Sequence, residues 1–194
     1  MRIGIFGGSF NPVHNGHIRL AREAVSELNL EKVIFVPSFN TPLKSKEVLL
    51  PARLRIQLLK TALKAFPDFS ISLCEMKRKG VSFTVDTLKF FKRRFGEGAS
   101  LFFLCGADTL KNLPRWKSKN EVLKLCRFVV MTRPGHLPKK LPAQVHFMPF
   151  DALPVSSSDI RKRLERHQSI RALVPENTAR PLARYYQKRK GEGY

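Results

Sequence analysis

The sequence predicts an α/β fold built on an open, twisted, mostly parallel sheet with helices on both faces. Three observations predict it. Strand-like and helical stretches alternate along the 194 residues. Two unbroken apolar runs, residues 101–105 (LFFLC) and 128–131 (FVVM), read as strands covered on both sides. The first strand ends in a glycine-containing turn followed at once by helical periodicity.

Taken in order, residues 2–6 form a short buried strand, broken by Gly7-Gly8-Ser9-Phe10-Asn11-Pro12. A helix starts near Gly16, with Ile18, Ala21, Val25 and Leu28 on one face. Residues 32–36 are a second strand, closed by Pro37. Pro51 opens a helix with the stripe Leu54, Leu58, Leu59 and Leu63. Residues 69–73 alternate as a strand, and Thr84 to Phe95 is a helix ended by Gly96. The two apolar strands follow, then a weaker strand at 145–148 and helices at 158–164 and 175–186. Residues 134–144 read as an irregular surface loop. A single domain covers residues 1–187, with 158–187 as its C-terminal helical part and 188–194 as a basic tail expected to fray.

Composition narrows the classes. An apolar fraction of 43% with fifteen Phe supports a packed core and argues against a disordered chain. No apolar run approaches the roughly 18 residues of a membrane span, and residues 1–6 are too short for a signal-peptide core. The three cysteines, Cys74, Cys105 and Cys126, offer neither a disulfide framework nor a CxxC metal knuckle. Each sits in an apolar run as a small hydrophobe, and a reducing, cytoplasmic setting is the expectation. The net charge of +21 attracts anions: nucleic acid, an anionic membrane or phosphorylated small molecules. It is spread along the chain, +7 in residues 160–194 and +14 before them. Basic segments 77–79 and 92–94 could track a nucleic-acid backbone, but with no aromatic-interleaved stripe in view, neither nucleic acid nor membrane is expected as a partner.

The first strand–helix turn carries the chemistry. In open α/β sheets, ligands bind beyond the carboxyl ends of the strands. The turn here, Gly7-Gly-Ser-Phe-Asn-Pro-Val-His-Asn-Gly-His17, is neither a GxGxxG nor a GxxxxGK loop. Gly7 and Gly8 let backbone amides approach a ligand. His14 and His17 flank Gly16 at a helix start, where two imidazoles and the helix dipole can converge on a phosphate. The pair could instead ligate a metal or cap the helix; no third ligand is evident, and no metal site is predicted.

These residues resemble a known signature. The stretch 8–17 is similar to the (T/S)-F-x-P-x-H-x-G-H motif of the nucleotidyltransferase superfamily, and Val155-Ser-Ser-Ser-Asp-Ile-Arg161 resembles its I-S-S-T-x-I-R segment. Residues 37–44, Ser82-Phe-Thr-Val-Asp-Thr-Leu88, Gly106-Ala-Asp108, Trp116 and Arg133-Pro-Gly135 further resemble the bacterial nicotinate-nucleotide adenylyltransferases. The resemblance spans residues 2 to about 185. It implies a Rossmann-like nucleotidyltransferase domain that moves AMP from ATP, with Mg²⁺, to nicotinate mononucleotide, in NAD biosynthesis. It implies His14, His17, Lys44 and Arg161 as catalytic. It assigns Gly7, Gly8, Ser9, Phe10, Gly16, Gly106, Asp108, Ser156, Ser157 and Ser158 to ATP. Phe39, Phe83, Thr84, Trp116 and Arg133 fall to the mononucleotide. Four positions depart from the family pattern: Asn11 stands for Asp, Thr41 for Pro, Leu43 for His and Phe83 for Tyr. Homo-oligomerisation is left open, as is the same chemistry on nicotinamide mononucleotide or phosphopantetheine.

Overall fold

A computed structural model describes residues 1–41, 49–132, 144–151 and 153–191. The elements run β1 (Arg2–Gly8), α1 (Asn15–Glu27), β2 (Lys32–Pro37), α2 (Ala52–Leu63), β3 (Phe69–Ile71), α3 (Cys74–Arg78), α4 (Thr84–Phe95), β4 (Ser100–Gly106), α5 (Ala107–Asn112), a 3₁₀ turn (Leu113–Arg115), α6 (Lys119–Leu125), β5 (Arg127–Thr132), β6 (Val145–Pro149), α7 (Ser157–Glu165) and α8 (Glu176–Gly191).

The six strands form one sheet in the order β3-β2-β1-β4-β5-β6, and every pairing is parallel. Successive strand residues point to opposite faces, so each apolar strand feeds two cores. Phe6, Phe102, Leu104, Val129 and Met131 face one layer with Ile18 and Ala21 of α1, Leu58 and Leu59 of α2, Ile160 of α7 and Leu182 of α8. Ile3, Ile5, Leu101, Phe103, Phe128 and Val130 face the other, with Val85, Leu88 and Phe91 of α4 and Val122 of α6. The unbroken runs at 101–105 and 128–131 are what this double coverage demands. Cys105 and Cys126 are buried in the second layer, where burial pushes both thiols up, that of Cys126 to about 12. Among the described residues no helix is long and apolar enough to cross a membrane.

Several elements differ from expectation. β1 runs two residues further, to Gly8, because Gly7 and Gly8 still pair with Val36 and Pro37 of β2. β3 stops at Ile71 instead of residue 73, as the chain turns into α3. Helices α3 and α6 escape the periodicity analysis because five and seven residues are too few to display it. α8 continues to Gly191, so the backbone of 188–191 is helical. The expected surface loop at 134–144 lies, but for Gln144, outside the described residues.

With this strand order, β1 and β4 are neighbours whose connections leave in opposite directions. That switch point opens a crevice at their carboxyl ends. Gly8 ends β1 and Gly106 ends β4, so both open onto the crevice.

Candidate active site

The turn after β1 is held from three sides. Phe10 takes a left-handed backbone conformation, φ 44°, and its ring is 1% exposed, set edge-on to Phe6 and against Phe35. Its side chain belongs to the core, so contact with a ligand would come through its backbone. Asn11 is fully buried; its Oδ1 accepts the Leu50 N–H at 2.8 Å and its carbonyl accepts Arg161 Nη1 at 2.7 Å.

α1 begins with His14 as its N-cap. The two imidazoles stack, with centroids 3.6 Å apart and an interplanar angle of 27°. His17 Nδ1 accepts the His14 backbone N–H at 3.1 Å, which leaves its proton on Nε2. Phe6 and Phe10 wall His17 at 5.8 and 5.1 Å. His14 is 8% exposed; burial lowers its pKa to about 4, so it is neutral at pH 7. Among the described residues its Nδ1 is the one buried side-chain nitrogen or oxygen without a hydrogen-bond partner. The imidazole does face the His17 N–H across the reciprocal cap of α1, so Nδ1 is poorly satisfied, which suits an incoming ligand.

The serine-rich segment meets this turn directly. Ser157 Oγ donates to the Pro12 carbonyl at 2.9 Å, and Arg161 reaches Asn11 as above. Each of the three serines has a different task. Ser156 caps α7, accepting the Asp159 N–H at 3.1 Å and donating to Asp159 Oδ2 at 2.7 Å. Ser157 staples the two loops together. Ser158 is exposed and accepts Arg161 Nη2 at 3.3 Å. The amides of Ser157 and Ser158 have no carbonyl inside the helix to bond, which suits an anion. Gly16 sits at the junction. A Cβ there would come within 3.0 Å of Val155 and 3.1 Å of His14 Nδ1, so glycine lets the two segments close on each other.

A second group gathers aromatic rings. The Phe39 N–H donates to Ser82 Oγ at 3.1 Å, the Ser82 N–H donates to the Asn40 carbonyl at 2.8 Å, and Asn40 bridges Val81. This ties Phe39, 40% exposed, beside Phe83 and Thr84 at the start of α4. Lys117 Nζ lies 4.5 Å over the Phe83 ring, bringing the half-buried Trp116 to the same place. Trp116 packs edge-on against Phe103 and Phe128, at 5.6 and 5.7 Å. Of the remaining predicted residues, Lys44, Arg133 and the side chain of Asp108 lie outside the described residues. The backbone of Asp108 is second in α5, whose N-cap is Gly106.

One residue escapes the sequence analysis. Arg55 of α2 is 2% exposed and donates to three backbone carbonyls: Leu50 through Nε at 3.1 Å, and Ser9 and Ser38 through Nη1 at 2.7 and 3.0 Å. It braces the turn carrying His14 to the loop carrying Phe39, which also meet where the Ser38 N–H donates to the Gly8 carbonyl at 2.9 Å. The signal was available: positions 55, 58, 59 and 62 share one helical face, and an arginine on an otherwise apolar stripe demands an explanation.

Among the described residues, nothing lies within 4 Å of the space a Cβ at Gly106 would take, at the carboxyl end of β4. Gly106→Ala should therefore leave the fold and the melting temperature unchanged. If a nucleotide fills that space, the variant will lose ATP affinity by about tenfold, a loss of ~1.4 kcal/mol; titration of both proteins with a non-hydrolysable ATP analogue checks it.

The pattern of the cytidylyltransferase-like family matches residues 5–163. A protein of Clostridium novyi (strain NT) named "Probable nicotinate-nucleotide adenylyltransferase" is 39% identical over 184 residues, covering 89% of this chain and 92% of the relative. One of the same name from Thermoanaerobacter sp. (strain X514) is 36% identical, covering 99% and 96%. In fold, the chain is similar to the nicotinic acid mononucleotide adenylyltransferase of Plasmodium falciparum complexed with NaAD, with a TM-score of 0.75 at 20% identity over 96% of this chain and 97% of that one. The chain thus belongs to the cytidylyltransferase-like family of nucleotidyltransferases, and within it to the nicotinate-nucleotide adenylyltransferases.

Proposed function

We propose that the protein transfers the adenylyl group of ATP to nicotinate mononucleotide, giving nicotinate adenine dinucleotide and pyrophosphate. The observation that carries this reading is the closure of the β1–α1 turn on the start of α7, through Ser157 to Pro12 and Arg161 to Asn11, beside the stacked pair of buried His14 and half-buried His17. The NaAD carried by the Plasmodium protein is the dinucleotide such a reaction would yield.

A phosphate oxygen of the mononucleotide attacks the α-phosphorus, and the bond from that phosphorus to the bridging oxygen of the β-phosphate breaks. The electron pair leaves with pyrophosphate. The nucleophile is already an anion, so no general base is needed, and rate comes from alignment and charge neutralisation. His17 donates from Nε2 to the α-phosphate, and His14 joins it once protonated. Arg161, Ser158 and the first amides of α7 receive the leaving group, and Lys44 adds a further cation. Gly7, Gly8 and Ser9 cradle the nucleotide through their backbone, and Gly106 and Asp108 flank it. Phe39, Phe83, Thr84, Trp116 and Arg133 take the pyridine nucleotide. Mg²⁺ would arrive on the triphosphate, held by phosphate and water. Among the described residues there is no group of three or more His, Cys, Asp or Glu that could hold a metal ion.

The test is pyrophosphate release from MgATP with four acceptors. Nicotinate mononucleotide should support turnover with kcat/KM at least tenfold above nicotinamide mononucleotide, and phosphopantetheine and glycerol phosphate should support none. Preference for another acceptor would overturn the substrate assignment.

His14 adds a pH signature. In the free enzyme its folded pKa, about 4, lies below the ordinary 6.5. The unfolded chain therefore takes up a proton between those values that the folded chain refuses, so His14 costs stability as pH falls from 6.5 toward 4 and nothing above that window. A bound triphosphate favours the charged imidazole and raises its pKa. Binding of an ATP analogue at pH 6 should then take up close to one proton more in the parent than in His14→Asn. Calorimetry in two buffers of different ionisation enthalpy reads this; equal uptake by both proteins would remove His14 from the phosphate site.

A further inference from the structure

Away from the phosphate-binding turn, a cleft of about 990 Å³ runs between α4 and the β2–β3 edge of the sheet. Cations line both sides. Lys77 and Arg78 come from α3, and Arg93 and Arg94 from the last turn of α4. Lys32 enters from the first residue of β2, at the end of the sheet opposite the β1–α1 turn. Lys89 also lines the cleft but is engaged with Glu121 at 2.8 Å, Arg78 donates to Thr87 Oγ1 at 3.4 Å, and among the described residues the one acidic side chain in the lining is Asp86. The half-buried Phe90 lines the cleft on the α4 face that also carries Arg93 and Arg94, one side of its ring packed on the second core layer and edge-on to Phe91 at 5.1 Å. Phe95 lies at the lower end beneath Lys32 Nζ, 5.1 Å from its ring.

Basic segments 77–79 and 92–94 are far apart from each other in folding order, with no aromatic stripe visible between them in the sequence. The fold brings Lys77 and Arg78 of the first and Arg93 and Arg94 of the second to one groove, with Phe90 in its lining. A row of cations beside rings open to stacking is how proteins hold single-stranded nucleic acid without reading its sequence. We propose that this cleft binds a single-stranded nucleic acid, with the cations on its phosphates and Phe90 against a base. A duplex, whose bases are already stacked, could use only the cations.

The test is fluorescence anisotropy with a labelled twelve-residue oligothymidylate, on the full chain, over a range of salt concentrations. Four cations engaged on a single strand give a slope of log K against log salt of roughly −3. Arg93→Gln/Arg94→Gln should weaken binding at least tenfold and reduce the slope by about 1.4, while adenylyl transfer is unchanged. Lys60→Gln/Lys64→Gln at the end of α2 removes the same charge from the opposite layer and should weaken binding less than threefold. Phe90→Leu, which keeps apolar bulk, should cost about fivefold with the slope unaltered. Equal losses in the two charge pairs would mean diffuse attraction and overturn the site. So would binding of a duplex of the same length as tightly as the single strand, or displacement of the oligonucleotide by inorganic tripolyphosphate at equal phosphate concentration.

Discussion

His17→Ala lowers kcat by ~10²-fold or more, a loss of about 2.7 kcal/mol of transition-state stabilisation, with KM for ATP changed only a few-fold. The expectation follows from how the ring is held. Its Nδ1 is occupied by the His14 N–H, His14 stacks on one face and Phe10 closes an edge, so its Nε2–H is a preorganised donor. A donor fixed before the reaction costs no reorganisation when charge builds on the α-phosphate oxygens. The fold should survive, because α1 keeps Ile18, Leu20, Ala21 and Ala24 in the core. Burst-free steady-state kinetics with a parallel thermal melt make the measurement. Undiminished turnover in a folded variant would remove His17 from the mechanism.

Arg55→Leu should be the most destabilising single change at the site. Two buried carbonyls and the half-buried one of Ser9 lose a charged donor, and each unsatisfied group costs about 1–3 kcal/mol, so a total of at least ~3 kcal/mol is expected. For a chain of this size that lowers the melting temperature by roughly 6–12 °C. Arg55→Lys retains the charge but not the fork that reaches carbonyls in three directions, and should fall between. Activity near the melting point should fail before global unfolding, since the brace joins the histidine-bearing turn to the Phe39 loop. Urea denaturation monitored by circular dichroism, beside activity at matched temperatures, reads both. A loss below ~1 kcal/mol would make the three contacts incidental.

The parts of the site that the sequence discloses share a property: they are local. A glycine pair before two histidines three residues apart, and a serine run opening a helix, carry their chemistry in contiguous residues. The parts it hides depend on distant partners. Phe10 stands inside the motif, yet its ring packs into the core, because a left-handed backbone turns it away from the crevice. The three serines look interchangeable along the chain, and only their neighbours make one a cap, one a staple and one exposed.

The sequence by itself determined the class of fold, because strand and helix periodicities are written in neighbouring residues, and the class of chemistry, because two stretches that resemble the nucleotidyltransferase signatures are each contiguous within it. Tertiary structure alone decided that residues 145 and more positions apart touch, as Ser157 does Pro12 and Arg161 does Asn11. It alone decided that His14 is buried neutral and that Arg55 braces two loops. The physical reason is that burial, desolvation and cross-chain hydrogen bonds are set by which surfaces the parallel sheet brings together at its switch point, and no local pattern encodes them.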